Sequence, residues 1–175
     1  YLALIEQQSP RDHLAGYASE LMLEINRRDL EADYFFFDSN PAHSWKVQRD
    51  LHTHKNIELL KSEWNGARLL LMGHAANFIN PENGMPSNLV FDLMDDFSHV
   101  ALLATNPNAE WGAAEQSLST LIPVLPMSTL GLSRLMDAWN GAAMPSFADW
   151  QLYETDPVPP SFSNGFTKPE PARVL

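Results

Sequence analysis

The chain has no cysteine among its 175 residues. Disulfides, thiolate nucleophiles and cysteine-ligated metals are excluded by that alone. Cations are scarce: 11 Lys and Arg stand against 22 Asp and Glu, a formal charge of -11. A sequence-independent nucleic-acid binder needs clustered cations to displace counterions, so nucleic acid is not an expected partner. An anionic membrane surface is disfavoured for the same reason. No apolar run approaches the ~18 residues that a bilayer-spanning helix needs. G-x-S-x-G, G-x-G-x-x-G and G-x-x-x-x-G-K-[ST] are all missing, and with them a nucleophile elbow and the phosphate cradles of dinucleotide and P-loop folds. No motif calls for a cofactor or a metal, and none is expected.

What remains is an ordinary globular composition, 45% hydrophobic and 19% charged, with length for one domain. Tyr1 already lies in an apolar run and no signal-peptide pattern precedes it. The expectation is a cytoplasmic segment of a longer protein, any membrane anchor lying outside it.

Five short apolar runs read as strands, at 1–5, 33–37, 68–73, 99–105 and 120–125. Pro123 inside the last lacks a donor, which predicts an edge strand. Between the runs lie helical patterns. Ser9-Pro10, with Asp12 at the third helical position, predicts a helix capped by Ser9. Leu14, Tyr17, Ala18, Leu21, Met22 and Ile25 would be its buried face, and it would run to about Arg28. Further helices are predicted at about 50–64, 88–96, 112–119 and 129–139. Ser87 would cap the third, with Leu89, Phe91, Leu93 and Met94 on its apolar side, and Ser128 the last. After Asp149 the periodicity stops, and five prolines fall between Asp156 and Pro171. The chain therefore divides into an α/β domain at 1–149 and a Pro-rich tail or linker at 150–175.

Strands alternating with helices imply parallel pairing. The expected fold is a three-layer α/β/α sandwich with a five-stranded, mainly parallel sheet in the order 2-1-3-4-5, flavodoxin-like or Rossmann-like. The central strand, 68–73, then breaks into the His74 loop at the carboxyl edge, where open α/β sheets bind ligands. The crevice candidates are Glu6, Ser9, His74, Asn77, Asn106 and Trp111. If the domain is an enzyme, its acid–base candidates are His74, His13 and Asp12.

Several stretches resemble known sites, each with an element missing. Asp50-Leu51-His52-Thr53-His54 resembles the D-x-H-x-H opening of PHP phosphoesterases. No apolar strand precedes it, so it reads as a solvated helix start. Ala104 to Glu110 resembles the A-T-D-P-D-x-E loop of Toprim domains, with Glu6 after the first strand as in that fold. Both aspartates are replaced by Asn106 and Asn108, and neutral amides hold a hard dication poorly. Gly73-His74 resembles the histidine position of caspase-like folds, but Thr105 or Asn106 stands where their cysteine would follow, which implies at most an inactive relative. Glu6 to Pro10 falls where a von Willebrand A domain carries D-x-S-x-S, with only Ser9 as a remnant.

A broader likeness runs through YLALIEQQSPRDHLAGYASEL, DYFFFDSNP, LLLMGHAANFINPENG and NPNAEWGAAEQSL. Together these resemble an uncharacterised Rossmann-like α/β module of large bacterial multidomain proteins, over about residues 1–140. The resemblance implies a regulatory or interaction role and carries no activity. The leading expectation is a non-catalytic module that binds a protein partner or a neighbouring domain. Trp45, Trp111, Trp150 and Phe78 are its candidate anchors. The alternative is a hydrolase or small-ligand domain using the crevice around His74.

Overall fold

A computed structural model describes residues 1–27, 30–48 and 51–152. It is a mixed α/β fold with a mostly parallel sheet of seven strands and six α-helices. The strands are β1 (Leu2–Glu6), β2 (Asp33–Phe37), β3 (His43–Gln48), β4 (Leu51–Asn56), β5 (Arg68–Gly73), β6 (His99–Ala104) and β7 (Val124–Pro126). The helices are α1 (His13–Arg27), α2 (Ile57–Glu63), α3 (Asn88–Asp96), α4 (Ala113–Ser119), α5 (Thr129–Trp139) and α6 (Phe147–Leu152). Short 3-10 turns at Ala75–Phe78 and Asn108–Glu110 follow β5 and β6.

The sheet order is β4-β3-β2-β1-β5-β6-β7. A five-stranded sheet in the order 2-1-3-4-5 is thus corrected. The difference is an antiparallel hairpin, β3 and β4, added beside β2. Its sequence, HSWKVQ and LHTHKN, is polar enough to read as a solvated helix start. Pairing with β2, through Phe36 opposite Trp45, overrides that local signal. A sheet edge can keep one face wet, so it needs no apolar run. Residues 51–56 are therefore strand, and the helix predicted at 50–64 shrinks to Ile57–Glu63, capped by the Asn56 side chain on Leu59 N–H. The His52–His54 pair lies on β4, not on a helix start, with His54 exposed; Asp50 falls outside the described residues.

The centre of the sheet is parallel: β1 pairs with β2 and β5, β5 with β6, β6 with β7. All five residues of β1 are buried, as are the last five of β5 and of β6. Successive strand residues face opposite ways, so unbroken burial requires cover on both faces. Helix α1 packs on β1 and β2, α3 on β6, and α5 on β6 and β7. Lys61 of α2 bonds Asp96 of α3 at 2.8 Å.

Local expectations shift for identifiable reasons. Helix α1 begins at His13 and Asp12 is its cap: Asp12 Oδ1 accepts from Leu14 N–H at 3.0 Å and Ala15 N–H at 3.3 Å. Ser9 instead closes a tight turn through its carbonyl. The run 120–125 contributes only Val124 and Leu125 to the sheet, β7 ending one residue further on at Pro126, because residues 120–122 still hydrogen-bond back to the last turn of α4. On α3 the buried residues are Val90 and Leu93, whereas Phe91 and Met94 are exposed. Ser87 stands at its N-cap position without a side-chain capping bond, while Ser128 Oγ does cap α5, accepting from Gly131 N–H at 3.0 Å. The boundary at 149 falls inside α6, whose Trp150 is 1% exposed and belongs to the core. Residues 153–175 lie outside the described residues. Among the described residues no helix is long and apolar enough to cross a membrane.

Candidate functional site: a buried carboxylate holding a histidine

Parallel pairing brings three strand ends into a row. Ile5 stands opposite Met72, and Gly73 opposite Ala104, so Glu6, His74 and Thr105 emerge side by side at the carboxyl edge. Thr105 N–H donates to the Gly73 carbonyl at 3.2 Å, extending the β5–β6 ladder by one step.

Glu6 is the centre. It is 6% exposed, although it ends an otherwise apolar strand. A buried carboxylate is costly unless hydrogen-bonded, and this one is. Oε2 accepts from the His74 backbone N–H at 2.7 Å and meets the His74 ring at Nδ1, 2.8 Å away. Oε1 accepts from Gln8 Nε2 at 3.0 Å. Asn77 adds a weaker attraction, although its buried Nδ2 has no well-aligned partner. Burial pushes the Glu6 carboxyl up and is the largest single influence. The bonds from Gln8, the His74 backbone and ring, and Asn77 together outweigh it, leaving the group below its ordinary value of 4.5. Glu6 is therefore an ionised, acceptor-only group at neutral pH.

That fixes the imidazole. A carboxylate cannot donate, so His74 Nδ1 carries the proton of their shared bond. Nε2 is left with no protein hydrogen bond among the described residues, on a side chain 38% exposed. It accepts a hydrogen bond when the ring is neutral and donates one when the ring is charged.

Gly73 makes the approach possible. A Cβ there would lie 2.8 Å from Glu6 Cβ and 2.8 Å from Glu6 Oε2. Only a residue without a side chain lets the carboxylate cross from β1 to the amide after β5.

The predicted site residues separate into groups. Glu6, His74 and Asn77 come together. Asp12 is tied to them indirectly: its Oδ2 accepts from Gln8 N–H at 3.1 Å, and the Gln8 side chain reaches Glu6. Asp12 does not hydrogen-bond His74 among the described residues. His13 is exposed at the start of α1, and Ser9 is exposed in the preceding turn. Asn106 and Trp111 pair with each other, Trp111 Nε1 donating to the Asn106 carbonyl at 3.1 Å. Trp111 is 6% exposed and stacks on Phe147 at 5.5 Å, so it braces the loop after β6 rather than facing outward. Phe78 and Trp150 are likewise core residues. Gln8, Gly73 and Thr105 were missed as site residues. The available signal was position alone: each flanks the end of an apolar strand.

Two hydroxyls, Thr105 Oγ1 and Ser87 Oγ, are buried without hydrogen-bond partners. Among the described residues no group of three or more His, Asp or Glu could hold a metal ion. Comparison of the chain with protein-family models, curated proteins and solved structures found no match.

Proposed function

We propose that the chain is a non-catalytic α/β binding module, a regulatory or interaction unit of a larger bacterial protein, whose contact point is the Nε2 edge of His74. The observation that carries this reading is the bond from His74 Nδ1 to the buried Glu6 carboxylate, which orients the ring and leaves Nε2 unpartnered among the described residues. A partner protein or neighbouring domain of the same chain would present a hydrogen-bonding group there. The parallel strands β2-β1-β5-β6-β7, buried on both faces, support placing the module among Rossmann-like folds.

The same dyad would suit a general acid–base in a hydrolase. Against a covalent mechanism stands the nucleophile: the hydroxyl on the neighbouring strand end, Thr105 Oγ1, is buried and unpaired with the imidazole, so a hydrolase here would have to activate water. A bound substrate could not reach that hydroxyl in this arrangement.

The test is direct. Ester, peptide and phosphoester substrates should give no turnover that depends on His74. Binding of co-purifying or co-encoded partners, identified by mass spectrometry, should weaken in His74→Ala while the fold, read by circular dichroism, is unchanged. Hydrolysis abolished by His74→Ala would overturn the proposal.

A further inference from the structure

A second candidate site lies away from His74, between α5 and α6. There an open cavity of about 580 Å³ is lined by Leu130 and Arg134 of α5, by Met144 and Pro145 of the following loop, and by Asp149 and Trp150 of α6. The size falls within the range of small-molecule sites. Leu130 and Arg134 are four residues apart, so they share one helix face. Leu130 is 45% exposed, an apolar side chain with no cover on this side.

Arg134 is exposed and makes no hydrogen bond or ion pair among the described residues. Asp149 lines the same cavity without an ion pair to Arg134. One Asp149 oxygen, Oδ2, is used by the Ser146 N–H and hydroxyl at 2.8 and 2.7 Å. Those two bonds, the hydroxyl first, hold its carboxyl below the usual range. Oδ1 remains open to a further donor. An apolar wall thus carries one cation and one anion, each with unused hydrogen-bonding capacity and not ion-paired with the other.

We propose that this cavity binds a zwitterionic ligand with an apolar body, of the apolar amino acid or short peptide class, with its carboxylate on Arg134 and its ammonium on Asp149. The apolar body rests on Leu130, Met144 and Pro145. The proposal does not rest on the role given to His74. The site nevertheless abuts the same edge of the fold, because the Trp150 carbonyl accepts from the buried Asn108 Nδ2 in the loop after β6.

The probe is L-phenylalanine, titrated calorimetrically into the whole chain. L-Phenylalanine should bind. N-Acetyl-L-phenylalanine, lacking the ammonium, and L-phenylalaninamide, lacking the carboxylate, should each bind about two- to fivefold more weakly, the worth of one exposed ion pair. Arg134→Gln should reproduce the loss seen with the amide and should not weaken binding of the amide further. Both the residue and its replacement are solvent-facing, so the fold is retained. Equal binding of all three probes, or undiminished binding to Arg134→Gln, overturns the proposal. So does the absence of binding at millimolar L-phenylalanine.

Discussion

Replacing Gly73 by alanine tests the site at its tightest point. The new methyl would sit 2.8 Å from Glu6 Cβ, which belongs to the central strand β1 and cannot retreat. It would also sit 2.8 Å from Glu6 Oε2, the oxygen that takes both His74 bonds. Overpacking a core position costs ~1–3 kcal/mol. Each hydrogen bond to a charged group is worth ~1.5–3 kcal/mol. Relaxation of the Glu6 side chain recovers part of both, and the net loss is about 3 kcal/mol. At ~2–4 °C per kcal/mol for a domain of this size, the thermal midpoint falls by roughly 6–12 °C. The assay is thermal and urea denaturation by circular dichroism, with nitrogen-15 NMR of the His74 ring. Gly16→Ala is the control, since nothing lies within 4 Å of a Cβ there and the residue is in α1. It should stabilise by about 0.5–1 kcal/mol. A Gly73→Ala protein as stable as the parent, with unchanged His74 ring signals, would refute the steric account of the dyad.

Gly131→Ala should cost more than Gly73→Ala in the same melts, because its Cβ would fall 2.0 Å from the Pro126 carbonyl oxygen, a backbone atom that cannot rotate away. Asp12→Ala should lose about 1–2 kcal/mol in urea denaturation as the α1 cap is removed, whereas Ser9→Ala stays within ~0.5 kcal/mol; the reverse order would restore Ser9 as the cap. Glu6 has a folded pKa below its ordinary 4.5, so its ionised bonds stabilise the fold above that value and the contribution fades as pH drops through the folded pKa. The stability gap between the parent and Glu6→Gln, measured by urea denaturation across an acid series, should therefore be greatest above pH 4.5 and narrow on acidification; a gap that widens would contradict the assignment.

How much of this is visible in the residues themselves depends on the range of the forces involved. The α/β class follows from composition along the chain: LALIE, DYFFF, RLLLMG and HVALLA are too short and too uniformly apolar for surface helices, and helical patterns alternate with them. His74 was legible as a candidate for the same reason, since a polar residue directly after a buried strand must lie at the sheet's edge. The β3–β4 hairpin was not, because its polar residues carry no burial signal and its strand state comes from pairing with β2.

The partnership at the site is likewise tertiary. Glu6 and His74 are 68 residues apart, and neither spacing nor motif links them. Helical and turn preferences act over a few residues, so the sequence by itself determined the apolar strands β1, β2, β5 and β6 and the helices α1, α3, α4 and α5, but not the β3–β4 hairpin. Parallel pairing joins strands far apart in the chain. Only that pairing decided that the carboxylate ending β1 would lie beside the histidine following β5, over a glycine small enough to let them meet.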